Sequence, residues 1–354
     1  MIQSISNLTN QKNEIINKDK FINNDKFINN EDFQVLQKYK KGIFYDSVLI
    51  ENKNKEKKIY KLFEIEEKNI NGICDTMNNL IKLENDSLVK IENYYFYKCE
   101  TAQLYLIIEE KYEDRIILSE YTTFNEHTLL IYLIDIFKGI TYLNDNKITH
   151  FNVNPENILI KNNKCILDDW FISSIIDLRF LIFTISASKS SRYLSPELWK
   201  SIINDNTNEF VTMFRVDVFS IVLSFYNVFT KNEHSTLSKI MAFDKNLDVK
   251  KFLPSTKINW FDIILLKSIT LTYAERADAV CILEYLISIF ENGNTRDALV
   301  RSKEAIKEKI IFIEDKKQNL EISKKYQKDF SLESMKNSEY YNNNKKSLND
   351  FLEM

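Results

Sequence analysis

Residues 150–160 read HFNVNPENILI, a polar loop with a proline that runs straight into an apolar triplet. The segment before it, residues 127–143, carries Leu130, Leu133, Ile134, Phe137 and Ile140 at helical spacing, which predicts a long amphipathic helix leading into the loop. Downstream, residues 166–173 read ILDDWFIS, and residues 193–198 read YLSPEL. Residues 216–229 are apolar on nearly every face and begin just before Asp217, so a buried central helix is expected there. Residues 260–269 and 279–290 have the pattern of two further amphipathic helices.

Upstream of the loop the pattern is strand-rich. Residues 43–50 and 58–64 are short apolar runs separated by a charged turn at 52–57, the signature of a hairpin. Residues 88–98 and 103–109 read as two more strands, and 76–83 as a short helix. A small β-rich part followed by a larger α-rich part predicts two lobes with a cleft between them, where ligands usually sit. Residues 1–31 are polar and Asn-rich and repeat the string DKFINN, which points to a disordered tail. A short partner-binding motif is the rival reading of that tail. Leu299, Ile306, Ile313 and Leu320 recur every seven residues in a charged helical stretch at 294–327. The other heptad core position there is mostly Ser or Lys, which favours packing on the larger lobe over a self-sufficient coiled coil. The expected division is therefore a tail at 1–31, a small lobe at 32–112, a large lobe at 113–293, the charged helix at 294–327 and a disordered tail at 328–354.

Composition limits the function classes. Of 354 residues, 44% are hydrophobic and 28% charged, as in a soluble globular protein. The net charge of -3 gives no bulk attraction to nucleic acid or to anionic lipid. The four cysteines, Cys74, Cys99, Cys165 and Cys281, form no close pair, and there are only three histidines, which argues against a structural zinc site. No run reaches the roughly 18–20 apolar residues of a membrane helix, and the first residues do not read as a signal peptide. A reduced, cytoplasmic setting is expected, without nucleic-acid or membrane partners.

The ordered motifs resemble those of the eukaryotic protein kinase family. The loop at 150–160 is similar to the catalytic loop H-R-D-L-K-P-E-N. His150 stands at the His, Phe151 at the Arg, Asn152 at the catalytic Asp, Asn154 at the Lys and Asn157 at the metal-binding Asn. Asp169, Trp170 and Phe171 fill D-F-G; a frame starting at Asp168 would put a charge at the apolar second position. Ser195, Pro196 and Glu197 resemble A-P-E, Asp217 the start of the central kinase helix, and Arg276 the partner of the A-P-E Glu. Ile59–Tyr60–Lys61 resembles the A-x-K strand and residues 104–109, LYLIIE, the strand leading to the hinge. The resemblance implies an α+β, bilobal kinase-like fold and a nucleotide pocket lined by Val48, Ile59, Ile108 and Leu159. It implies that Lys61 faces the phosphates and that Asn157 and Asp169 hold a metal ion. His150, Glu197, Asp217 and Arg276 would be structural.

The departures fall on the chemistry. Asn152 lacks the basicity of the Asp that orients the substrate hydroxyl, a contribution of roughly 10²–10⁴ in rate. Asn154 removes a cation from the transferring phosphate. The glycine-rich loop survives only as KGIFYDSV at 41–48, where Ile43, Tyr45 and Asp46 would crowd the phosphates. The helix Glu that pairs with the strand Lys falls on Thr76, Ile59 fills space under the adenine, and Phe151 removes the Arg that receives an activation-segment phosphate. Residues 175–185, IIDLRFLIFTI, are apolar and β-prone, suited to packing on the large lobe or to a partner. The expectation is a pseudokinase that needs no cofactor and acts as a scaffold or allosteric partner, for example of an active kinase. Two alternatives stay open: an active Ser/Thr-type kinase using ATP with Mg and a substitute base such as Asp168, and a nucleotide-binding switch without phosphotransfer.

Overall fold

A computed structural model of the protein describes residues 33–38, 44–98, 103–112, 114–204, 213–232, 236–244 and 246–292. The tails expected at 1–31 and 328–354, the charged stretch at 294–327 and residues 41–43 of the degenerate glycine loop lie outside them.

Five antiparallel strands form the first sheet: β1 (Phe33–Lys38), β2 (Asp46–Asn52), β3 (Lys57–Ile65), β4 (Ile91–Lys98) and β5 (Leu104–Lys111), in the order β1-β2-β3-β5-β4. The β2–β3 turn is held by Asn52, whose Oδ1 accepts the N–H groups of Asn54 and Glu56. Lys55 in that turn takes a φ of 62°. Helix α1 (Ile70–Leu80) buries Ile73, Met77 and Leu80, one stripe at i, i+4 and i+7. It starts and ends earlier than the sequence pattern at 76–83 suggested, because burial of Ile73 outweighs the weak propensity of Asn71 and Gly72. The strand expected from residue 88 begins at Ile91, since residues 87–89 bond elsewhere: Leu167 N–H donates to Ser87 O and Val89 N–H to Leu167 O. Gly139 makes that crossing possible. A Cβ there would lie 3.2 Å from the Ser87 carbonyl oxygen.

The second part is helical. Its long helix, α2 (Glu126–Asp145), opens with a capping box in which Asn125 and Thr128 satisfy each other's backbone N–H groups. A small sheet of β6 (Ile116–Ile117), β7 (Ile158–Lys161) and β8 (Lys164–Leu167) lies beside it. Then come α3 (Ile172–Ile175), α4 (Leu178–Ser186), α5 (Pro196–Asn204), α6 (Arg215–Thr230), α7 (Leu237–Phe243), α8 (Val249–Phe252), α9 (Asn259–Ser268) and α10 (Ala279–Asn292). In α6 every residue from Val216 to Asn227 is buried. Among the described residues no helix is long and apolar enough to cross a membrane.

The β-prone reading of residues 175–185 is corrected: most of that segment is helical. Asp177 caps α4 by accepting the Phe180 N–H, and Leu181, Ile182 and Ile185 recur at helical spacing on the buried face. The cap and the 3.6-residue period outweigh local β propensity. One continuous core joins α1 and the inner face of the five-stranded sheet to α2, α4 and α6, while a smaller core covers the sheet's outer face.

Candidate functional site

The cleft face of the sheet follows from its register. Lys61 lies opposite Ser47 on β2 and Ile108 on β5, and Ile59 lies opposite Leu49 and Glu110. Directly opposed residues share a face, so Leu49, Ile59, Lys61, Ile108 and Glu110 point the same way. Val48 is corrected here: it pairs with Tyr60 and belongs to the outer core with Ile50, Leu62 and Ile107. Leu49 takes the inner position. With no glycines to fix the phase of β2, the motif match slipped by one residue, which in a strand exchanges the faces. Leu49, Ile59 and Leu159 are only 5%, 4% and 3% exposed, so protein atoms cover them.

Lys61 is buried and its ammonium meets three carboxylates: Asp168 at 2.6 Å, Glu110 at 2.7 Å and Asp169 at 2.8 Å. The helix position where a partner was sought, Thr76, bonds instead to Gly72 O within α1. In place of the missing helix partner, carboxylates from β5 and from the end of β8 hold Lys61. Arg115, just before β6, lies 3.6 Å from Asp168 Oδ2 and 4.0 Å from Glu110 Oε2. The Tyr45 hydroxyl lies 2.8 Å from both Asp169 oxygens. The rings of Tyr45 and Phe171 lie 5.3 and 5.4 Å from the Lys61 ammonium, within cation–π range.

These contacts set the protonation pattern. Burial alone would lower Lys61, but Asp168, Asp169 and Glu110 together hold its pKa well above the usual lysine range. Burial pushes Glu110 up to about 7, reinforced by Asp168. Burial also raises Asp169, only partly offset by Lys61. Asp168 goes the other way: burial opposes its charge, but Lys61, Arg115 and the Asp169 N–H outweigh that and hold it low. The difference is one of partners. Asp168 has two cations and a backbone donor, whereas Glu110 Oε2 has no hydrogen-bond partner.

The loop at 150–157 is built on the central helix. Asp217, at the start of α6, accepts the His150 and Phe151 N–H groups at 2.8 and 2.9 Å. Burial raises Asp217 to about 6 against the pull of His150 and those two donors. Phe151 takes a φ of 62°, an outlying conformation for a bulky residue, while its side chain is buried in the main core. His150 Nε2 lies 2.8 Å from Asp168 O and its Nδ1 3.2 Å from the Asn152 N–H; protonation at Nε2 satisfies both. The three asparagines bond to each other. Asn154 and Asn157 both donate to Asn152 O at 2.9 Å, and Asn154 also reaches Asn152 Oδ1 at 3.2 Å.

After β8 the chain is fixed by packing. Asp169 has a φ of 58°. Trp170 donates its indole N–H to Val89 O at 2.8 Å. Phe171 caps α3 at φ −88°, so a side chain is accommodated where the family has glycine. Farther away, Arg276 forms a two-pronged pair with Glu197, donates to Ser268 O, Arg215 O and Thr270 O, and lies 5.0 Å from the Phe219 ring.

Two lobes, this loop and the Glu197–Arg276 pair define a kinase-type domain. The protein kinase domain family matches residues 47–275, and the chain belongs to that family. It is 24% identical over 204 residues to mouse serine/threonine-protein kinase 32C, covering 55% of this chain and 40% of the relative. It is 27% identical over 214 residues to the Aurora kinase of Debaryomyces hansenii, covering 57% and 48%. A putative serine/threonine-protein kinase of Acanthamoeba polyphaga mimivirus is 23% identical over 185 residues, covering 50% and 64%. The chain thus spans less than two thirds of the length of each of these relatives.

The family normally uses ATP and magnesium, and the residues present here do not fit them. An ammonium has three donors, and all three on Lys61 are matched by carboxylates. Magnesium demands oxygen ligands at about 2.0–2.1 Å in near-octahedral geometry, yet the Tyr45 hydroxyl and Lys61 already hold the Asp169 carboxylate.

Proposed function

We propose that this kinase-family domain does not transfer phosphate and acts by binding another protein, an active kinase being one class of partner its fold suits. The observation that carries this reading is the pairing of a neutral carboxamide at Asn152 with the engagement of the cleft carboxylates, Glu110, Asp168 and Asp169, by the Lys61 ammonium. General-base help requires a group that can accept a proton near operating pH. Asp168 is the nearest rival, and Lys61 and Arg115 hold its pKa low, which makes it a weak base. Asn154 brings no charge to a transferred phosphate. The groups that maintain the fold, Asp217, Glu197 and Arg276, are meanwhile fully bonded, as suits a domain that works as a shaped surface.

A radiolabelled phosphotransfer assay with generic protein substrates tests the reading. Turnover no higher than that of Asp169→Ala is expected. Robust turnover that Asp169→Ala abolishes would overturn it.

A further inference from the structure

We propose that Glu110 stands in for a nucleotide phosphate on Lys61, so that the cleft is closed by its own side chains and excludes Mg-ATP. This rests on the reading of the domain as one that does not transfer phosphate, and adds the residue responsible.

Register gives the first argument. Glu110 starts opposite Ile59, at the position that the family resemblance assigns to the adenine. Its carboxylate ends 2.7 Å from the Lys61 ammonium, at the position assigned to the phosphates. Its side chain therefore lies between the strand positions expected to face the adenine and the phosphates, and it is fully buried. Sealing gives the second argument. Arg115 lies against the outer oxygens of Glu110 and Asp168. Tyr45 covers Asp169 from the β2 side and packs its ring 4.9 Å from Phe63. A polyanionic nucleotide would have to displace Glu110 and Tyr45 while entering beside three carboxylates. Uncompensated charge in a buried site is strongly unfavourable.

Charge balance gives the third argument and makes a test practicable. Lys61 and Arg115 face Glu110, Asp168 and Asp169, so the acids outnumber the cations. Replacing Glu110 by a neutral residue leaves two acids facing two cations. The cluster then keeps its balance, and Lys61 regains a donor for an incoming phosphate.

The experiment is calorimetry with Mg-ATP, at up to about 5 mM so that weak binding still registers, on the full chain, on Glu110→Ala and on Tyr45→Phe/Glu110→Ala. No saturable binding is expected for the wild type. The double variant should bind with a dissociation constant of about 0.5 mM or tighter, at least tenfold below the highest concentration used, and adding Lys61→Met should abolish the gain. Hydrogen exchange on the wild type supplies a readout that does not depend on the variants folding: amides of residues 59–63 and 166–171 should be equally protected with and without Mg-ATP. Saturable wild-type binding, nucleotide-dependent protection, or folded variants that gain nothing would each overturn the role of Glu110. A phosphotransfer assay run in parallel separates the two ideas. Wild-type binding without turnover removes only the role of Glu110, while wild-type turnover removes the proposed function as well.

Discussion

Among the described residues, the buried ion clusters at Arg276 and Lys61 are built on opposite principles. At Arg276 one guanidinium meets one carboxylate, Glu197, and its remaining donors go to backbone carbonyls. At Lys61 one ammonium meets three carboxylates, with Arg115 as a second cation at longer range. The first is matched in charge and in hydrogen bonds. The second has a surplus acid, which it accommodates by raising Glu110 into the neutral range. A buried cluster of the first kind serves as a fixed joint, whereas one of the second kind depends on the medium.

The largest expected effect breaks the matched cluster. Glu197→Ala leaves the Arg276 side chain, 0% exposed, without its counter-charge. Breaking a buried pair in this way costs about 3–5 kcal/mol. Urea denaturation should show that loss, and a midpoint equal to wild type would mean that the backbone carbonyls alone satisfy Arg276.

Lys61→Met tests the other cluster and should cost somewhat less, about 3 kcal/mol at pH 8. The three acids it leaves behind can take up protons, which Arg276 cannot do by losing one. The loss measured by urea denaturation should therefore shrink markedly at pH 5. A loss independent of pH would show that the acids do not share protons.

The contrast between the clusters also explains what the sequence revealed. Glu197, Arg276 and Asp217 could be placed by motif because fixed joints keep fixed spacing. Glu110 could not, since the strand match at residues 104–109 stops one residue short of it. A signal was nevertheless present: Glu109 and Glu110 are adjacent at the end of an apolar strand, and strand alternation must send one of them inward. Glu109 goes to the outer face, where it accepts from Tyr60 and Tyr95. The phase of β2 was illegible for the reason that misplaced Val48, and the helical fold of residues 178–186 depended on an Asp cap within an apolar run.

The surplus acid gives a pH dependence with a definite sign. The pKa of Glu110 rises from 4.5 to about 7 on folding. Between those values the folded protein holds a proton that the unfolded chain has released. Stability from this group is complete below pH 4.5 and is lost as pH rises through 7. Asp217, raised from 3.8 to about 6, acts in the same direction. Asp168 acts in the opposite direction, but its window lies below pH 3.8. The melting temperature should fall by roughly 10 °C between pH 5 and pH 8. Glu110→Gln should flatten that slope, and an equal slope in the variant would place the titration elsewhere.

The smallest expected effect is on chemistry, and it separates the loop from the cleft. Asn152→Asp restores a carboxylate where the family has its catalytic one. In a working site such a group is worth roughly 10²–10⁴ in rate, but only when nucleotide and hydroxyl are already positioned, because phosphoryl transfer depends almost wholly on positioning and electrostatics. Here Lys61 has no donor left for a phosphate and Asp169 is held by Tyr45 and Lys61. Asn152→Asp, alone or with Asn154→Lys, should therefore leave phosphotransfer at background in the radiolabel assay. Turnover in either variant would mean that nucleotide enters the cleft despite Glu110, and that the missing base alone keeps the wild type silent. Background activity in both, followed by a rise when Tyr45→Phe/Glu110→Ala is added, would place the first barrier at the cleft and the second at the loop.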